Sequence, residues 1–221
     1  MRARAEVRAE ILAEARRQLA TEGATALSLR AVTRELGMAS SAAYRYFPSR
    51  DELLTALITE AYDALGETAE RAAGGGTPYE CWQNICRAIR RWAIENPHEY
   101  ALIYGSPVPG YRAPELTIGP ASRVTFALAG VLVDAHNGGT LAPITGPGLS
   151  EAMAAEADRV GRVAMPGVPI ATIARGLVAW TQLFGQISFE LFGKLEGVVE
   201  DFEEVFEHAI AVMADVMGLH T

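Results

Sequence analysis

A short stretch of the sequence, residues 38–54, combines side chains that are suited to contacts with nucleic acids. It has the sequence MASSAAYRYFPSRDELL, with small and hydroxyl residues first and tyrosines and arginines after them. Hydroxyl groups can hydrogen-bond to phosphates or to base edges, and small residues let a backbone approach either one closely. Phenols add hydrogen-bonding groups on rigid arms, and arginine adds positive charge. The chemistry indicated by this stretch is binding rather than catalysis.

Catalytic and metal-binding patterns are absent from the sequence. The patterns G-x-S-x-G, G-x-x-x-x-G-K-[ST], H-E-x-x-H, C-x-x-C and G-x-G-x-x-G do not occur. The four histidines, His98, His136, His208 and His220, are expected at the surface or at helix ends rather than in a catalytic site. Cys81 and Cys86 would be too far apart on a helix for a disulfide. The sequence therefore predicts no metal site, no cofactor and no enzyme, with an all-helical enzyme or carrier as the alternative.

Positive charge is concentrated at the start of the chain. Residues 1–50 contain nine arginines and five glutamates, a net charge of +4, whereas residues 51–221 contain ten basic and twenty-two acidic residues, a net charge of −12. A clustered positive patch favours nucleic acid, because binding releases counterions from the phosphates. The alternative is a solvated helix face on which Glu6, Glu10 and Glu14 pair with neighbouring arginines.

The sequence shows no pattern of a signal peptide or of a membrane span. The first 20 residues carry five arginines and three glutamates among their apolar positions. Even the apolar stretch 173–194 contains Arg175 and Glu190. These features predict a soluble, cytoplasmic protein with no membrane partner.

Apolar residues recur at helical spacing along most of the chain, and no stretch has the alternation of a strand. Residues 7–23, residues 28–37 and the short stretch before Pro48 form three predicted helices, and a capping box of Ser49 and Glu52 starts a fourth at 49–72. Further helices are predicted at 78–95, 97–104, 120–136, 149–164, 168–193 and 199–217. The predicted fold class is therefore all-α.

Three short helices followed by a long one, with a glycine turn between the second and third, form the arrangement of a helix-turn-helix module. In such a module the third helix enters the major groove of DNA. Phe47 lies one turn after Ala43, so we expect it to point inward and hold the short helix to the core. The sequence thus predicts a helix-turn-helix DNA-binding domain at 1–50, extending into the helix at 49–72, and a larger helical domain at 73–221.

The segment LSLRAVTRELGMASSAAYRYFPSRDELLTAL resembles the DNA-binding segment of the TetR family of transcriptional regulators. The matching positions are Gly37, Met38, Tyr44, Tyr46, Phe47, Arg50, Glu52, Leu53 and Leu54. The sequence departs from the family pattern at Ala39, where a Ser or Thr commonly caps the recognition helix, at Ala43, where Leu is common, and at Arg50, which is often Lys.

The resemblance implies a set of residues that contact a double-stranded DNA operator. Ser28 and Arg30 would meet phosphates or a base; Ser40, Ser41, Ala42 and Tyr44 would face the groove; Tyr46 and Arg50 would hold the DNA backbone, and Arg45 would supply charge. For each tyrosine the alternative is packing between helices.

In this family the larger domain binds a small ligand and forms a dimer. The helix at 168–193 is apolar nearly all round and the helix at 199–217 has one apolar stripe, so together they suit a four-helix interface in a homodimer. Two segments, NPHEYALIYGSPVPGY and WTQLFGQISFELFG, also resemble a subgroup of TetR-type C-terminal domains named for a Trp-His-Gly signature. Trp180 and Gly193 fit that signature, whereas Lys194 follows the glycine and His98 lies far away.

Aromatic residues of the larger domain are the candidates for its ligand pocket. They are Trp82, Trp92, Tyr100, Tyr104, Phe126, Trp180 and Phe184. An apolar pocket with a few polar groups is the usual form of a small-molecule site, and core packing is the alternative for each residue. The resemblance implies a dimeric repressor that a small, largely apolar ligand releases from a palindromic operator. A DNA-binding regulator without any ligand response is the alternative of the same class.

Overall fold

The computed structural model describes residues 2–144 and 146–220, and within these ranges every regular element is helical. The α-helices are α1 (Arg2–Glu22), α2 (Leu29–Glu35), α3 (Ser40–Ala43), α4 (Arg50–Ala72), α5 (Pro78–Glu95), α6 (Pro97–Tyr104), α7 (Ile118–Asn137), α8 (Glu151–Ala164), α9 (Ile170–Leu191) and α10 (Phe202–Met217). A 3₁₀ turn, Glu115–Thr117, precedes α7. The all-α prediction is confirmed, and the helix ends differ from the predicted ones by a few residues.

Several helices begin where a side chain caps the first backbone N–H groups. Ser49 accepts a hydrogen bond from the backbone N of Glu52 at 3.1 Å, as the predicted capping box requires. Ser150 caps α8 in the same way, and Asp201 caps α10. These local contacts explain why helix starts could be read from the sequence.

The chain divides into two compact units, and the division differs from the predicted domain boundary at residue 73. Unit 1 contains the residues up to Ala64 together with Asn96–Ala121, and unit 2 contains Leu65–Glu95 together with the residues from Ser122 onward. The boundary therefore falls inside α4 and near the start of α7.

Packing around the first four helices explains why 96–121 belongs to unit 1. The buried core of this unit is formed by Ile11, Leu12, Ala15, Leu27, Leu29, Val32, Ala43, Phe47, Leu53, Leu54 and Leu57. Leu102, Val108 and Tyr111 pack against this core from the later segment. The Tyr111 hydroxyl also lies 2.9 Å from the Thr55 hydroxyl. Contacts so distant in sequence leave no local signal.

Unit 2 is held together by α5, α9 and α10. The Trp82 indole N–H donates to the carbonyl of Ile210 at 2.8 Å, which satisfies both groups in the core. Arg90, largely buried, binds the two carboxylate oxygens of Glu190 at 2.8 and 2.9 Å and also pairs with Glu203. These carboxylates raise the pKa of the Arg90 guanidinium further above its usual range. A buried arginine is tolerated here because its charge is paired.

One segment, Glu115–Asn137, is long and apolar enough to cross a membrane by length and composition, with a mean hydropathy of 1.5. Its inward residues, including Val124, Leu128 and Leu132, are buried in the protein. Core helices of folded domains share this composition, so the segment is weak support for a membrane span.

Candidate functional site

The turn between α2 and α3 is fixed by backbone and hydroxyl hydrogen bonds. Gly37 adopts a φ of +63°, a conformation that side chains with a Cβ rarely take. The backbone N of Met38 donates to the carbonyl of Thr33 at 2.9 Å. The buried Thr33 hydroxyl in turn donates to the carbonyl of Leu29 at 3.1 Å. The angle between the two helices is thus set by groups inside the module.

Helix α3 is only four residues long and continues as a helical turn up to Phe47. The backbone N of Phe47 donates to the carbonyl of Ala43 at 2.9 Å, and the N of Arg45 donates to the carbonyl of Ala42 at 3.2 Å. Ala43 and Phe47 are buried in the core of unit 1. The expectation that Phe47 points inward is therefore confirmed.

The opposite face of this turn carries the predicted DNA-contacting side chains. Arg30, Ser41, Tyr44 and Arg45 are exposed, whereas Ser28, Ala42, Tyr46 and Arg50 are half-buried. The side chain of Ser40 lies outside what the structure describes. No side chain caps α3 at Ala39, the position where the family pattern has a hydroxyl residue. Tyr44, with 44% of its surface exposed, is not packed between helices.

Positive charge at this surface is available for an external partner. Among the described residues, Arg30 and Arg45 have no ion-pair or hydrogen-bond partner for their guanidinium groups. Several other arginines of unit 1 are paired, as Arg17 is with Glu14 and Arg16 with Glu99. Arg45, the neighbour of Tyr44 in the chain, is therefore an exposed arginine whose charge is not used inside the described part of the protein.

Arg4 is a contributor to this surface that sequence reasoning missed. Its guanidinium carbon lies 6.0 Å from the centre of the Tyr46 ring, within the range of a cation–π contact. We call α3 together with the helical turn that follows it, up to Phe47, the recognition turn. The contact places the first turn of α1 beside the end of the recognition turn. Only tertiary packing brings these positions together, so no motif could have identified Arg4.

Arg50 has a different environment from the one predicted. Its guanidinium donates to the carbonyls of Leu27 at 3.1 Å, Ala24 at 2.9 Å and Thr25 at 3.2 Å. The side chain therefore ties the start of α4 to the loop between α1 and α2. These bonds are made inside unit 1, and the contact of Arg50 with the DNA backbone stays a prediction.

Unit 2 contains a mainly apolar cavity of about 240 Å³. Its walls come from α5, α7, α8, α9 and α10, and the lining residues are Trp82, Thr125, Leu128, Ala129, Leu132, Val160, Ala164, Met165, Gly176, Leu177, Trp180 and Met217. A more open hollow of about 400 Å³ lies near the end of α4 and is lined in part by Glu70 and Asp134.

The predicted pocket residues are divided among several places. Trp82 and Trp180 line the apolar cavity, and Phe184 packs edge-on to Trp180 with ring centres 6.1 Å apart. Trp92 is buried but does not line the cavity. Phe126 is exposed and lines the more open hollow.

Tyr100 and Tyr104 belong to unit 1. Their rings pack on each other, with centres 5.2 Å apart, and burial raises the pKa of the Tyr104 phenol. Aromatic content alone did not distinguish these core residues from cavity residues. Sequence reasoning missed the aliphatic wall of the cavity, because Leu128 and Leu132 on α7 have the same helical spacing as ordinary core residues.

The two cysteines are free thiols without a reactive environment. Burial raises the pKa of Cys86 well above its usual range and raises the pKa of Cys81 to a lesser degree. Within the part of the chain that the structure describes, no group of three or more metal-ligating side chains occurs.

Apolar side chains also form an exposed face on α9 and α10. On α9 the residues are Val178 and Phe189, with Phe192 directly after the last helical residue, and on α10 they are Val205, Val212 and Val216. Within each helix these positions recur at three-, four-, seven- or eleven-residue spacings and so lie along one side. Exposed apolar side chains gathered on one side of a helix are typical of a contact with another molecule.

Comparison with known proteins agrees with this architecture. Residues 11–57 match the family described as bacterial regulatory proteins, tetR family, and residues 82–213 match the tetracyclin repressor-like C-terminal domain. The HTH-type transcriptional regulator Rv1816 of Mycobacterium tuberculosis is 37% identical over 225 residues, covering 99% of this chain and 95% of that protein. The chain belongs to the TetR family of transcriptional regulators.

Solved structures extend the TetR comparison. A crystal structure of the regulatory protein SCO4313 is 37% identical and has a TM-score of 0.79, covering 97% of this chain and 98% of that one. The structure of RolR in complex with resorcinol is 14% identical with a TM-score of 0.54, covering 100% of this chain and 98% of that one, which shows a shared fold alone. TetR proteins are DNA-binding regulators rather than enzymes, as the sequence predicts for this chain.

Proposed function

We propose that this TetR regulator is a homodimeric repressor that a small apolar ligand releases from a palindromic operator. The observation that carries the proposal is the recognition turn, whose inner side chains Ala43 and Phe47 are buried while Tyr44 and Arg45 on its outer side are exposed. A rigid backbone with an outward polar face suits insertion into the major groove.

The exposed apolar side chains of α9 and α10 support the proposed dimer. Pairing of two such faces would bury Phe189 and Phe192 and produce a bundle of two helices from each protomer. Two recognition turns would then occupy successive major grooves, about 34–36 Å apart, on a near-palindromic site.

Ligand release requires a connection between the cavity and α4, because none of the residues that line the cavity belongs to α4. Helix α7 supplies that connection, since Leu128 and Leu132 line the cavity and Arg123 on the same helix binds Glu70 of α4 at 2.8 and 2.6 Å. The helices are also close at Gly66, where a Cβ would lie 2.7 Å from the Cβ of Arg123. A ligand that displaces α7 would therefore move α4, which runs without a break from Arg50 to Ala72.

A coupling of about 1–3 kcal/mol between ligand and operator, or roughly 5- to 150-fold in affinity, is sufficient for such a switch. RolR with resorcinol is an example of the same fold holding a small molecule. We extend that property to this chain as part of the proposal, together with a cytoplasmic location where DNA is accessible.

DNase footprinting on the DNA that flanks the gene for this chain tests the proposal. We expect a protected palindrome, and the Arg45→Ala protein should bind it more weakly. Arg159→Ala is the charge-matched control, because Arg159 lies on α8 in unit 2. A monomeric protein that binds no fragment at low salt would refute the proposal. Protection that persists with every apolar compound would favour the ligand-independent regulator instead.

A further inference from the structure

The wall of the 240 Å³ cavity restricts the charge of any molecule that it can hold. Among the described residues that line it none carries a charged side chain, and the hydroxyl of Thr125 and the indole N–H groups of Trp82 and Trp180 are the polar side-chain groups that these residues have. An ion placed there would lose part of its hydration without gaining a counter-charge. The cavity therefore selects against carboxylates and amines.

The volume of this cavity restricts the size of the molecule that it can hold. A cavity of about 150 Å³ accommodates benzene, so a volume of 240 Å³ corresponds in proportion to about ten carbon atoms. Two fused six-membered rings have that size. The indole rings of Trp82 and Trp180 on the wall favour a flat ring system, because aromatic rings pack well against each other.

One donor on this wall is unused. The Trp82 N–H is bonded to the carbonyl of Ile210, whereas the buried Nε1 of Trp180 has no hydrogen-bond partner in the structure. A buried donor without an acceptor raises the free energy of the folded state. The Trp180 side chain borders the cavity while its Nε1 is covered, so the side chain has to rotate to present the N–H to an acceptor there.

We infer that the effector is a neutral molecule of about two fused rings that carries one hydrogen-bond acceptor, such as a ketone oxygen, for the Trp180 N–H. This inference rests on the proposed function only in calling the ligand an effector; the binding site itself is a property of unit 2. Trp180 sets specificity for the acceptor, and the aliphatic wall sets specificity for shape.

Calorimetric titration of the full-length protein without DNA tests this inference with three probes. They are 1-tetralone, which has two rings and a ketone; tetralin, which has the same rings without the oxygen; and 1-naphthoate, which is charged. We expect 1-tetralone to bind about fivefold more tightly than tetralin, the effect of one hydrogen bond. We expect no binding of 1-naphthoate.

Variants separate the indole N–H from the cavity itself. Trp180→Phe keeps an aromatic ring, so it should bind tetralin and lose the preference for 1-tetralone. Ala129→Leu fills the cavity and should abolish binding of both neutral probes while circular dichroism shows a folded protein. Trp92→Phe, which removes an indole elsewhere in the core, is the matched control and should bind like the unchanged protein.

Equal affinity for tetralin and 1-tetralone, tighter binding of 1-naphthoate, or failure of both neutral probes to bind the folded protein would overturn the inference. Because these titrations contain no DNA, they are independent of the footprint. A protein that protects its operator but binds neither neutral probe refutes the ligand class alone. A protein that binds 1-tetralone but no DNA refutes the proposed function alone.

Discussion

Replacement of Arg50 by methionine is the sharpest test of the recognition module, because sequence and structure give this residue different roles. The sequence resemblance places it on the DNA backbone, whereas the structure bonds it to the carbonyls of Ala24, Thr25 and Leu27. Methionine keeps much of the aliphatic stem and removes all three hydrogen bonds. The change should therefore destabilise unit 1.

The size of the expected loss in stability follows from the number of these hydrogen bonds and from their exposure to solvent. A hydrogen bond from a charged group contributes about 1.5–3 kcal/mol when buried. Here 33% of the Arg50 side chain is exposed and two of the bonds share one nitrogen, so solvent competes for them. We expect a total loss of about 2 kcal/mol in the free energy of unfolding, which corresponds to about 1 M in the urea midpoint for a typical slope of about 2 kcal/mol/M.

Urea unfolding with two probes measures this loss. The chain has three tryptophans, Trp82, Trp92 and Trp180, all in unit 2, so tryptophan fluorescence reports that unit and far-ultraviolet circular dichroism reports both. Arg50→Met should shift the dichroism transition more than the fluorescence transition. Arg50→Lys should give an intermediate shift, because an ammonium lacks the fork of donors of a guanidinium.

The opposite pattern would refute this account of Arg50. If Arg50→Met leaves both transitions unchanged, weakens operator binding and lowers the salt slope by about 0.9, the residue neutralises a phosphate instead. Arg45→Ala is expected to show that pattern, because Arg45 is exposed and its guanidinium has no partner among the described residues.

Four further predictions concern the other sites. Tyr44→Ala should weaken operator binding at least about tenfold, measured by fluorescence anisotropy. Because the ring is exposed, the change should alter the free energy of unfolding by less than about 0.5 kcal/mol. An unfolded variant would instead assign Tyr44 to the core. Phe189→Lys should convert the dimer to a folded monomer in analytical ultracentrifugation, and an unchanged dimer would exclude this face. Arg123→Ala should retain operator and ligand binding but reduce ligand-driven release, and full release would show that α7 does not act through this ion pair. Hydrogen bonds from Arg87 lower the pKa of Glu207, so the stabilisation by this carboxylate is complete above the ordinary carboxyl pKa and is lost as the pH falls through the lowered pKa. Acidification from about pH 5 to 3 should therefore destabilise the unchanged protein more than the Glu207→Gln variant in urea unfolding. An equal dependence of the free energy of unfolding on pH in the two proteins would contradict this.

The helices were predictable because their signals are local. The capping box of Ser49, the glycine turn at Gly37 and the inward position of Phe47 each depend on residues within a few positions of one another. The same local pattern carries the family resemblance. Fold class and the location of the recognition turn therefore followed from sequence alone.

The remaining features depend on contacts between distant segments. The carbonyls bonded by Arg50 lie 23 to 26 residues earlier in the chain. Tyr100 packs in unit 1 because its segment returns to the first four helices, which neither composition nor spacing indicates. The cavity wall is mostly aliphatic, and an aliphatic core residue and an aliphatic cavity residue have the same sequence pattern.

The shortness of α3 bears on how such a regulator can acquire new binding sites on a genome. A helix of four residues has no stability of its own, so the scaffold beneath Ala43 and Phe47 determines its shape. The outward side chains contribute little to that scaffold. If Ser41 and Tyr44 contact the operator as we propose, exchanges at these positions would redirect the protein to another promoter while leaving its folding intact.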